Sequence, residues 1–444
     1  MKKFLAIALV AAAYAAESPI EQRYGGAAQK LIQAALADND STARLQYLCD
    51  RIGSRLSGSP GLERAVEWSA AEMRKAGLEN VRTPLVKVPH WIRGQERASM
   101  IAPIERPLVM VGFGMSVGTP PGGIAADVIA APDLDRLAAL GRGKVAGKIV
   151  LFTPLASSPT VEKGPSLAGA LGAVAVLIHT PHTRGIAYED GKPKIPAAAV
   201  SAEDALMIER LLDGGTPVRV RLVMEDRQPP DADSHNVMGD LRGSEKPEEI
   251  VVVAGHLDSW DLGQGAMDDG SGVTAALEAV ALIRKLGLHP RRTIRVLFFV
   301  NEENGGAGDR AYGAMIGDAV SNHVAVIVDD RGAEKPTGFG FGGKGQDVNA
   351  PSFRRTVEIG ELLRGISAGK ISPGGGGGHL PSLTSHGVPG FGVQTVDVHY
   401  SEWNHTNADS FDKIVPEEFQ LHVASIAVLS YVLADVPERL GQLK

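Results

Sequence analysis

The rhythm of apolar and polar positions changes twice along this chain. From about 42 to 77 it is helical in two pieces, with Leu45, Leu48, Cys49 and Ile52 on one face of the first. Leu62, Val66, Ala70 and Met73 recur at helical spacing in the second, which Ser59-Pro60 opens and Gly77 stops. Between them Gly53 to Pro60 is a turn-rich loop. From about 106 to 228, short apolar runs such as Ile149 to Phe152 and Ala173 to Ile178 alternate with Gly- and Pro-rich turns. A helix over Ala202 to Leu212, capped by Ser201, and a closing strand over Val218 to Val223 complete a segment that reads as mostly β. His179 and His182 lie there without a cluster of acidic residues, so this module is expected to stay clear of the chemistry.

After Pro229-Pro230 the pattern becomes strand, loop, helix. Ile250 to Ala254, Thr293 to Val300, Val324 to Val328 and Gly390 to Val396 are near-continuous apolar strands, and Val273 to Leu286 has helical periodicity. Such runs predict an α/β fold, a mixed, mainly parallel sheet covered by helices on both faces. Ligands in such sheets gather beyond the carboxyl ends of the strands. His256, Glu302 and Asp330 each fall just past one of those ends.

Length and charge narrow the options. At 444 residues the chain suggests two or three folding units. A net charge of -7 without a basic stripe argues against nucleic acid as a partner. Lys2-Lys3, the apolar run Phe4 to Ala13 and Ala13-Tyr14-Ala15 read as a signal peptide over residues 1–15, hence export to the periplasm or beyond the cell. No later segment is apolar and long enough to span a bilayer. A single cysteine, Cys49, excludes an intrachain disulfide and reads as a small buried hydrophobe.

The chemistry concentrates downstream. His256 and Asp258 are two apart, so an extended backbone points them the same way. Asp258 is a metal ligand or the carboxylate that holds the other nitrogen of the His256 ring. Asp268-Asp269 sits in a loop opening a helix, where one carboxylate can bridge two metals. Glu302-Glu303 aims adjacent carboxylates in different directions, one suited to a metal and one to a water. Asp329-Asp330 and His405 complete the set. Imidazole and carboxylate together suit zinc.

The run Gly255 to Gly270, followed in order by Glu302-Glu303, Asp330-Arg331-Gly332 and His405 to Asp409, resembles the co-catalytic di-zinc exopeptidases. Within them it is most similar to the carboxypeptidase Q (plasma glutamate carboxypeptidase) branch. The resemblance implies the zinc exopeptidase fold, with a discontinuous catalytic domain over 26–105 and 229–444. Residues 106–228 resemble the protease-associated domain inserted in such enzymes. It further implies His256, Asp268 and Asp330 on one zinc ion and Asp268, Glu303 and His405 on a second. Glu302 would be the general base and Asp258 the support of His256. Two departures stand out: Asp409-Ser410 replaces the usual Asp-Thr, and His379 stands where relatives often carry an acidic residue. His386 and His399 fit no ligand position.

The expected activity is hydrolysis of short peptides or dipeptides from one free end, by aminopeptidase, carboxypeptidase or dipeptidase action, with a homodimer allowed. Two rival readings share the fold: a single-zinc glutaminyl cyclase, and a binding ectodomain without catalysis. The apparent retention of all five ligands and the base favours the peptidase.

Overall fold

The computed structural model describes residues 18–442; the expected signal peptide lies outside them. The strands read as near-continuous apolar runs lie side by side at the centre of an eight-stranded mixed sheet. Lys246–His256 pairs in parallel with Arg292–Phe299 on one side and His323–Val328 on the other, and His323–Val328 pairs in parallel with Gly390–Thr395. Antiparallel strands close both flanks. Register decides what meets at the top: His256 lies opposite Phe299, and Ala254 opposite Val328. The loops that follow these three strands therefore leave the sheet as neighbours.

Alternation along each strand feeds two cores. Val251, Val253, Ile294, Val296 and Phe298 pack with helices Pro19–Leu36, Ser271–Lys285 and Pro416–Asp435. Val252, Ala254, Leu297, Phe299, Val326 and Val328 pack on the opposite face against Tyr312, Leu380 and Leu383. Apolar residues on both faces are what a parallel sheet covered twice demands. Cys49 is buried in the first core, and burial pushes its thiol up to about 12. Gly272 lets the helix Ser271–Lys285 start hard against the sheet: a Cβ there would sit 1.9 Å from the Asp329 carbonyl oxygen.

A second eight-stranded sheet is built wholly from residues 96–224. It takes in Glu96–Ala102, upstream of the boundary expected at 106, because this strand lines up against Arg219–Met224 over its whole length. Three helices, Leu134–Val145, Ser158–Ala170 and Ala202–Asp213, accompany it. Ser201 caps the last, accepting from the Asp204 N–H. Polar and aromatic contacts join the two sheets. Arg93 binds Asp261 through two hydrogen bonds of 2.7 and 2.9 Å. The Trp260 ring packs so close to Gly114 that a Cβ would meet it at 2.1 Å.

Candidate active site

His256 is the last residue of its strand, and its ring is buried. Its Nε2 lies 3.1 Å from Asp268 Oδ1 and 3.6 Å from Asp330 Oδ1. Asp268 turns its other oxygen, Oδ2, to His405 Nε2 at 3.0 Å, and Glu303 Oε2 approaches the same nitrogen at 3.0 Å. His256, Asp268 and Asp330 thus form one donor group, and Asp268, Glu303 and His405 a second, with Asp268 common to both. Asp268 reaches both because it stands in the turn Ala266–Gly270, held by Asp409, whose carboxylate accepts from the N–H of Met267 at 2.6 Å and of Asp268 at 3.3 Å.

Electrostatics in this group are those of crowded carboxylates. Burial and then Asp268 push Glu303 up to about 8. Burial pulls His405 down, but Glu303 and Asp268 outweigh it and hold the imidazole up at about 11. Burial would raise Asp268, yet hydrogen bonds to His256 and His405 keep it well below the usual carboxylate range. Glu303 Oε1 is also buried without a hydrogen-bond partner. An orphaned carboxylate oxygen beside two groups of imidazole and carboxylate donors fits zinc.

Glu302 is part-exposed beside the donors rather than buried among them. Its Oε1 accepts from His379 Nδ1 at 2.8 Å, and the same nitrogen lies 3.1 Å from Asp330 Oδ2. The departure at His379 thus places a hydrogen-bond donor against the expected base. Asp258 behaves otherwise than expected. The His256 Nδ1 partner is the Asp258 backbone carbonyl at 2.9 Å, while the carboxylate stands 3.8 Å away. That carboxylate instead accepts from the N–H groups of Glu302 at 3.1 Å and Glu303 at 3.3 Å. The turn after the strand offers two unpaired backbone donors, and a buried anion beneath them is the better electrostatic partner.

Other residues around the site take positions that spacing along the chain does not give. Arg55 is fully buried and donates to the carbonyls of Leu257, Gln264 and Gly265, tying the turn-rich loop to the metal-facing loop. Asp329 points away from its neighbour Asp330 and binds His422 at 2.7 Å. His386 and His399 stay outside the donor groups, bonded to Ser382 and Glu402. A cleft of about 410 Å³ opens over Asp268, Glu302, Glu303, Asp330, His379 and His405. Glu162, Arg184 and Gly185 of the second sheet's segment also line it. The expectation that residues 106–228 stand clear of the chemistry is thereby corrected: alternating apolar runs report a sheet, not which of its loops faces a neighbour.

Comparison with known proteins agrees with this arrangement. Residues 236–430 match the model of peptidase family M28. Carboxypeptidase Q of Bos taurus is 38% identical over 94% of this chain and 90% of its own length, and that of Homo sapiens is 36% identical over the same shares. The crystal structure of a peptidase M28 precursor from Shewanella amazonensis superposes with a TM-score of 0.89 at 28% identity, covering 96% of this chain and 99% of that one. A zinc aminopeptidase from Bacillus subtilis shares the fold, with a TM-score of 0.70 at 19% identity over 91% and 97% of the two chains. With relatives matching almost from end to end, the chain belongs to peptidase family M28.

Proposed function

We propose that this zinc-dependent exopeptidase removes residues from short peptides at a site of two zinc ions, with Glu302 as general base. One observation carries the reading: Asp268 directs its two carboxylate oxygens to His256 and His405, the imidazoles of two donor groups that share it. His256, Asp268 and Asp330 would hold one ion; Asp268, Glu303 and His405 would hold the other. When bound, such ions acidify water and stabilise negative charge developing on the scissile carbonyl oxygen.

The protein's own groups do the rest. Glu302 projects into the cleft with one oxygen held by His379, leaving the other to take a proton from the attacking water and return it to the leaving amine. The Asp258 carboxylate fixes the backbone from which Glu302 and Glu303 diverge. The cleft volume suits a ligand of a few residues. Among the described residues no helix is long and apolar enough to cross a membrane. The basic and apolar N-terminal run supports export ahead of such a catalytic unit. Residues 106–228, extended upstream to Glu96, would form the inserted domain.

Elemental analysis of the purified protein tests the site. Two zinc ions per chain are expected. One tightly bound ion would favour the cyclase reading, and none would favour a binding ectodomain.

A further inference from the structure

The cleft is rich in carboxylates, yet two guanidinium groups line it as well: Arg184 and Arg331. Among the described residues neither guanidinium has a hydrogen-bond or ion-pair partner, although acidic groups line the same cleft. A cation left unpaired in such company is available to an anion from outside.

Arg184 has the firmer footing of the two. Its neighbour Thr183 is buried, donates its N–H to the His405 carbonyl at 3.2 Å and accepts from His405 Nδ1 at 3.1 Å. Thr183 Oγ1 is fixed on the Gly112 carbonyl, and Ile186 N–H on that of Gly114. Gly185 lies so close to the base-bearing turn that a Cβ there would meet Asn304 at 3.3 Å and the Glu303 carbonyl oxygen at 3.4 Å. Arg184 is therefore held on both sides at the rim of the donor groups, within one residue of a contact with Glu303. Arg331 directly follows Asp330 and is exposed, so it borders the same opening from the other sheet.

We propose that Arg184, assisted by Arg331, pairs with the free carboxylate that ends the substrate, so that the segment forming the second sheet selects which peptide terminus enters. The proposal rests on the exopeptidase reading above. A planar guanidinium matches a carboxylate in two parallel hydrogen bonds, which gives orientation as well as attraction. The scissile bond is then measured from the carboxyl end, and a substrate without that charge forfeits the contact.

Dipeptides in three forms test this: both ends free, the amino end acetylated, and the carboxyl end amidated. In Arg184→Ala, the ratio of kcat/KM for free acid over amide should fall about 10- to 100-fold, as expected for loss of a charged hydrogen-bond pair. Arg184→Lys, which keeps charge without the planar fork, should fall in between. Competition by a free amino acid against its amide should lose the same preference in Arg184→Ala. An unchanged ratio in both variants overturns the proposal, as does a change confined to the acetylated series. Melting temperatures identify a misfolded Arg184→Ala, in which case Arg184→Lys carries the comparison. The parent reading fails separately, if Glu302→Gln keeps its turnover.

Discussion

Thr183 and His405 hold each other across two loops: the Thr183 carbonyl accepts from His405 Nδ1, and the Thr183 N–H donates to the His405 carbonyl. The ring bond fixes the tautomer, leaving Nε2 free to face Asp268 and Glu303. His405 adopts φ 58°, a left-handed conformation that a residue other than glycine keeps only when its surroundings hold it. The neighbouring His182 adds a hydrogen bond from Nδ1 to the Asn404 carbonyl at 2.9 Å. His182→Ala should loosen this loop and weaken zinc binding about 10-fold, the scale typical of groups that orient a ligand. Titration against a competing chelator checks it; undiminished affinity would mean the loop stands without this clamp.

Asp258→Asn separates two roles that sequence alone merges. His256 is oriented by a backbone carbonyl that the substitution leaves in place, so zinc content should stay at the parental level. The turn bearing Glu302 and Glu303 loses the charge beneath its two N–H groups, so kcat should fall about 10-fold. Metal analysis beside steady-state kinetics reads both. Loss of zinc together with activity would restore the view that the carboxylate supports His256.

The Arg55 guanidinium ties the early loop to the site by donating to backbone carbonyls. Removing it leaves the carbonyls of Leu257 and Gln264 without donors, each costing about 1–3 kcal/mol, while that of Gly265 keeps the Gly270 N–H. Arg55→Met should therefore lower stability by about 2 kcal/mol or more, read by denaturant unfolding. A change under about 0.5 kcal/mol, typical of surface sites, would contradict the role.

Stability of the metal-free protein should respond to pH with a definite sign. Glu303, pushed up to about 8 by burial and Asp268, and His405, held up at about 11 by Glu303 and Asp268 against burial, both lie above their unfolded values of roughly 4.3 and 6.5. Each group stabilises the fold fully below its unfolded value. The contribution of Glu303 is lost as pH rises through about 8, and that of His405 as pH rises through about 11. Chelator-treated protein should melt at lower temperature as pH is raised. Zinc-loaded protein should gain on its metal-free form over the same rise, because ligands bind metal deprotonated. Parallel melting curves for the two forms would contradict the assignment of these groups to a metal.

The catalytic sheet was legible because its signals are local. The runs ending at Ala254 and Val328 stop within two residues of the observed strand ends, although the first strand starts four residues earlier, at Lys246, and the helix after Asp269 begins two residues ahead of its expected start. His256, Glu302 and Asp330 could be placed at strand ends because periodicity marks where a strand stops. Thr183, Arg184 and Arg55 could not: their roles depend on which loops far apart in sequence meet, and no spacing along the chain encodes that. Asp258 was half legible. Spacing put it beside His256, but only the structure distinguishes its carbonyl from its carboxylate as the partner.

The central claim is that Glu302 moves the proton at a site whose metals are held by its neighbours. The most direct measurement is turnover of Glu302→Gln alongside its zinc content. The account predicts parental zinc content with kcat lowered about 10²- to 10⁴-fold, the usual contribution of a general base. Parental zinc content with undiminished kcat would contradict it.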